Sequence, residues 1–126
     1  MSPRHEGDNM AEKFTIADVE RRDTVAVVRV AGRLEIKSAQ ELLDKCREIR
    51  RDGARTLVLN LADITFVASS GVGTLLALTE EFKEGGGSLR LVAMSQAVET
   101  VVNLLNLAQF LVIDATETDA LEALGV

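Results

Sequence analysis

Ser69 and Ser70 stand side by side ahead of Gly71-Val72-Gly73, at a corner between an apolar run and a helix-patterned stretch, so their hydroxyls are the first groups to test for chemistry. A nucleophilic serine needs Gly-x-Ser-x-Gly and a histidine–acid pair to take its proton. Here Val67 and Ala68 stand two residues before the serines, and the only histidine is His5, so no triad can be assembled. A Walker-type phosphate loop needs a lysine after its last glycine, and a dinucleotide fingerprint needs a third glycine at the position of Leu76. The chain continues Thr74-Leu75-Leu76 instead, and both patterns fail. One histidine and one cysteine, His5 and Cys46, far apart in sequence, give no zinc-type spacing, so no metal and no cofactor are expected. Glu80 and Glu81 are helix neighbours pointing in different directions and read as a solvated face.

Two readings of the serine corner stay open. In one, Ser69 or Ser70 caps the helix by accepting a free backbone N–H, worth about 1 kcal/mol. In the other, the corner is a docking face. At 100° per residue Ser70, Gly73, Thr74, Ala77 and Glu81 fall on one side of the helix, and Val72, Leu75, Leu76, Thr79 and Phe82 on the other. Small outward residues beside a hydroxyl would let a partner's backbone approach closely.

The elements that hold this corner are legible as alternating short apolar runs. Residues 1–12 mix Pro3, Gly7 and charges without periodicity and read as a flexible leader, leaving 13–126 as one domain. Phe14 to Glu20 and Thr24 to Ala31 predict a hairpin, the second strand being apolar enough for cover on both faces and stopping at Gly32. Ser38, with Glu41 three residues on, predicts the cap of a helix reaching about Arg51, with Cys46 on its apolar face as a buried thiol. A strand Thr56–Asn60, a linker, a further run Ile64–Val67 and the helix ending before Gly85-Gly86-Gly87 follow. Leu89–Val92 and Phe110–Ile113 predict two more strands, and Ser95 and Thr116 cap two more helices. The order β β α β α β α β α predicts an α/β domain: a central mixed sheet of about five strands, or six if Ile64–Val67 stands alone, flanked by about four helices.

Composition narrows the partners. With 14 Lys+Arg against 20 Asp+Glu the net charge is −6, and the chain has neither Trp nor Tyr, so nucleic acid is not an expected partner. No apolar run reaches the length that spans a bilayer and the first residues lack a secretory core, so a soluble cytoplasmic protein without membrane insertion is expected.

Gly32-Arg33-Leu34-Glu35, Leu57-Val58-Leu59-Asn60-Leu61 with Asp63-Ile64-Thr65-Phe66, Ser69-Ser70-Gly71-Val72-Gly73, and Gly86-Gly87 before a strand together resemble a STAS domain of the anti-sigma factor antagonist type, over roughly residues 13–126. The pattern departs from the family's common form at Ala68 and Glu35, where Asp is frequent. The resemblance implies a non-catalytic regulator that binds an anti-sigma factor which is also a serine kinase. That kinase phosphorylates the serine directly before the glycine, here Ser70 rather than Ser69, and a serine phosphatase restores it; the unphosphorylated form releases the sigma factor. The strand-to-helix loops of an open α/β sheet gather at the carboxyl ends of its strands. The expected partner face is therefore Arg33, Glu35, Lys37, Ser69, Ser70, Gly71, Gly73, Thr74, Ala77 and Glu81. The alternative is a phosphorylation-independent adaptor subunit of a transporter ATPase or a sensory assembly.

Overall fold

The computed structural model describes residues 13–126; the expected leader, with His5, lies outside the described residues. Five strands, β1 (Thr15–Arg22), β2 (Val25–Leu34), β3 (Thr56–Val67), β4 (Ser88–Val92) and β5 (Val112–Asp114), lie side by side in sequence order. β1 is antiparallel to β2, and every later pairing is parallel, so the sheet is mixed as the hairpin requires. Four helices are described: α1 (Ile36–Arg51), α2 (Ser69–Glu84), α3 (Gln96–Leu104) and α4 (Glu117–Leu124).

Successive residues of a strand face opposite sides of the sheet, and the two cores sort accordingly. Ala26, Val28 and Val30 of β2, with Leu57, Leu59 and Leu61 of β3, join the large core with residues of α1, α2 and α3. Val25, Val27 and Val58 point the other way and pack with Val92 and with Ala120 and Leu121 of α4. The near-continuous apolar reading of β2 is thus explained by cover on both faces. Beyond Val28 the α4 side turns polar: Arg29 donates to both carboxylate oxygens of Glu117 at 2.8 and 2.7 Å and also pairs with Asp18 and Glu20 of β1. Asn60 adds a 2.7 Å bond to Glu117. These donors, the Arg29 guanidinium first, hold the Glu117 carboxyl below the ordinary glutamate range. Cys46 is buried in the large core, and burial pushes its thiol up to about 12.

Four boundaries differ from the sequence reading. Gly32, at φ +100°, does not stop β2 but bends it, and pairing resumes at Arg33 and Leu34. Ile64–Val67 is not a separate strand: the supposed linker is a bulge inside β3, where two residues intervene between the partners of Arg29 and Ala31 on β2. Ser38 is not the cap of α1. The helix starts at Ile36 with Glu35 at the N-cap, and the Ser38 hydroxyl accepts the Glu35 N–H at 2.7 Å while donating to the Arg33 carbonyl at 2.7 Å. A serine three residues into a helix can make the reciprocal half of a capping box, accepting the N–H of the N-cap residue, so its side chain does not mark the boundary. Near the end of the chain, residues 108–110 form a single 3-10 turn in place of the start of a strand, and Phe110 is exposed.

Candidate functional site

The corner is built by the ends of β2 and β3. Leu34 pairs with Val67, and the Leu34 carbonyl then accepts the Ala68 N–H at 2.9 Å, placing the end of β2 directly under the start of α2. Gly71 makes this approach feasible. A Cβ there would sit 2.9 Å from the Leu34 Cγ and 3.0 Å from its carbonyl oxygen, closer than side chains tolerate. Gly71 is accordingly buried, a packing residue beneath the corner rather than part of the exposed face.

Neither serine caps α2. The N-cap is Ala68, which has no side-chain acceptor to offer. Ser69 is exposed, whereas the Ser70 hydroxyl oxygen is shielded from solvent and makes no hydrogen bond within the protein. An Asp at position 68 would supply the missing acceptor to the first turn. Ala68→Asp is therefore expected to raise the unfolding free energy by about 1 kcal/mol, read from the denaturant midpoint, with Ala68→Leu giving no such gain.

The expected partner face is narrower in the structure than on a helical wheel. Gly73 is exposed with nothing within 4 Å of a would-be Cβ, and Ala77 is half-buried on the same helix. Thr74 is buried and donates its hydroxyl to the Ala39 carbonyl of α1 at 3.3 Å. Glu81 holds Arg47 of α1 through two bonds of 3.0 and 2.6 Å, which keep its carboxyl below the ordinary range. Thr74 and Glu81 thus serve the α1–α2 contact, because α1 packs against the side of α2 that the wheel assigned to solvent. Eleven residues separate Glu81 from Ser70, about 16 Å of helix.

Arg33 donates to Glu35 at 3.0 Å and lies 4.1 Å from the Phe66 ring centroid. The guanidinium lowers the pKa of Glu35, which is exposed, as is Lys37. None of these three bonds the Ser70 hydroxyl, which lacks any protein partner. The sequence reading missed two apolar members of this surface, Phe66 and Ile36, both exposed. An extra residue in β3, Thr65, lies between the partners of Gly32 and Arg33, and Phe66 emerges beside Arg33. That bulge is invisible in an alternating pattern. Ile36 had a signal, an apolar residue set between Glu35 and Lys37.

Between α2 and α3 the void lined by Val72, Leu75, Val98 and Val101 measures only about 10 Å³, space for one water at most. Among the described residues no three His, Cys, Asp or Glu side chains group as metal ligands, and no helix is long and apolar enough to cross a membrane. The geometry offers a shallow surface of small and apolar groups around a serine pair, suited to protein contact.

Comparison with known proteins points the same way. The STAS domain model matches residues 17–120. The chain is 28% identical over 98 residues to the anti-sigma-B factor antagonist of Bacillus subtilis (strain 168), covering 78% of this chain and 89% of that protein. It superposes on the crystal structure of an anti-sigma factor antagonist from Mycobacterium paratuberculosis with a TM-score of 0.77 and 28% identity, over 89% of this chain and 94% of that one. The Bacillus cell fate determinant SpoIIAA in its phosphorylated form shares the fold at a TM-score of 0.67 and 24% identity, over 89% of this chain and 99% of that one. With the five-stranded mixed sheet, the Ser-Ser-Gly corner and a family match across most of its length, the chain belongs to the STAS domain family.

Proposed function

We propose that this chain is an anti-sigma factor antagonist that acts without catalysis of its own, in the cytoplasm. It binds an anti-sigma factor that is also a serine kinase, frees the sigma factor, and is switched off by phosphorylation of Ser70 and restored by a serine phosphatase. The observation that carries this reading is the Ser69-Ser70 pair at the first turn of α2, beside the open Gly73 face, in a chain whose relatives bear that name.

The buried state of the Ser70 hydroxyl fits a regulated acceptor. Because the oxygen makes no bond in the fold, rotating it outward breaks none, and water or a kinase gains a partner for it. Once outside, a phosphate of about −1.5 to −2 charges meets the unpaired N–H groups and positive end of α2, which favour an anion by about 0.3 to 1 kcal/mol. The direct test is incubation with ATP and the cognate anti-sigma kinase, followed by mass mapping. Phosphate is expected on Ser70 and absent from Ser70→Ala; incorporation on Ser69 alone, or none, refutes the switch.

Ala68, which puts no charge beside the serine pair, favours one second reading, a phosphorylation-independent adaptor in a transporter ATPase or sensory assembly. An unmodified chain that co-purifies stably with an ATPase would identify it.

A further inference from the structure

The least explained surface lies away from Ser70, where α3 gives way to β5. Leu104 is 79% exposed, Leu105 53%, Phe110 60% and Val112 40%, four large apolar side chains within one short stretch. From Thr100 to Ile113 no residue carries a charge, in a chain with 34 charged residues, 14 basic and 20 acidic. An open groove of about 420 Å³ with Phe110 in its wall runs along α2, lined also by Leu76, Thr79, Leu107 and Gln109, with the exposed Glu80 and Lys83 at its rim. β5 is also a sheet edge. The other edge, β1, carries Asp18, Glu20, Arg21 and Arg22, the charges with which proteins discourage strand-to-strand association; of the three residues of β5 only Asp114 is charged, and it is paired with Arg90.

We propose that this corner joins two copies of the chain in a two-fold dimer, with Phe110 of each copy seated in the groove of the other. A two-fold interface must be self-complementary, so projection and recess have to lie on one patch, and here they adjoin. The rim satisfies the same condition, since Glu80 of one copy can face Lys83 of the other. Charge selects the occupant. Two copies of a −6 molecule repel each other least when they meet through an uncharged face, whereas an anionic membrane would call for a cluster of Lys and Arg that residues 100–113 lack. The groove residue of α2 nearest in sequence to Ser70 is Leu76, six residues on, about 9 Å along α2 and on the other side of the helix, so the dimer leaves both serine corners free.

Sedimentation equilibrium of the full chain tests this. The mass is expected to rise reversibly from 13.6 kDa toward twice that value between micromolar and near-millimolar concentration. Phe110→Glu is expected to weaken dimerisation at least about thirtyfold, as loss of a central aromatic anchor does. Its circular dichroism and melting should match the parent because the side chain is exposed; Val112→Lys, on the surface that Val112 shares with Phe110, Thr79 and Lys83, provides an independent second lesion with the same expected effect. Val19→Glu, on the opposite sheet edge, should leave the dimer intact. A monomer at every concentration, a dimer indifferent to both Phe110→Glu and Val112→Lys, or a dimer dissociated by Val19→Glu overturns the proposal.

Discussion

Replacing Gly87 by alanine is expected to abolish the stable fold or lower its melting temperature by more than about 10 °C. A Cβ at Gly87 would lie 1.7 Å from the Arg55 carbonyl oxygen and 2.5 Å from its carbon. Those atoms belong to backbone, so no side chain can swing aside. Relief requires parting the entries of β3 and β4, where Thr56 pairs with Ser88. Ordinary overpacking costs about 1 to 3 kcal/mol, and a clash with immovable backbone belongs to the rarer class above about 4, a large share of the 5 to 15 kcal/mol that a domain possesses. Gly73→Ala is the matched control: its Cβ would meet nothing within 4 Å, and an exposed helical glycine replaced by alanine gains up to about 1 kcal/mol. Thermal melts of the two variants side by side decide the matter, and a Gly87→Ala variant melting within a degree or two of the parent would refute the packing argument.

Ser70→Asp is expected to weaken binding to the anti-sigma factor more than about a hundredfold, while Ser70→Ala binds as the parent does. A carboxylate at the second residue of α2 is tolerated by the domain, because the helix N-terminus favours negative charge. The partner must cover that charge with groups chosen for a neutral serine surface, and a buried unpaired charge costs several kcal/mol. About 3 kcal/mol already corresponds to more than a hundredfold in affinity. Ser70→Ala removes a hydroxyl that has no hydrogen bond in the fold, so the variant should be at least as stable as the parent, which separates binding effects from folding effects. Calorimetric titration of each variant into the purified anti-sigma factor gives the comparison; equal affinities would sink the phosphoswitch.

Much of this architecture was legible because it rests on local chemistry. The order of strands and helices followed from apolar periodicity, and the Ser95 and Thr116 caps stand where the sequence put them, accepting the N–H groups of Val98 and Asp119. What escaped were features set by neighbours distant in sequence. Bulges at Gly32 and in β3 depend on the pairing of two strands, and without that pairing Asp63 looks like a linker and Phe66 like core. The helical wheel gave α2 one buried side and one free side. Its buried residues instead span a wide arc, because Thr74 and Glu81 meet α1 while Val72 and Leu75 meet α3. The serine corner was found from residue types alone, but the shielding of the Ser70 hydroxyl needed the packed structure.

The clasp between Arg29 and Glu117 closes a separation of 88 residues, and α4 alone among the described helices covers the valine face of the sheet. During synthesis four of the five strands and the three other helices are complete by residue 104, before that cover exists. Until residues 117–121 have left the ribosome, Val25, Val27, Val58 and Val92 face water and Arg29 lacks the carboxylate that it holds through two hydrogen bonds. The nascent domain therefore passes through a stage with one bare apolar face, the stage at which a chaperone has most to hold.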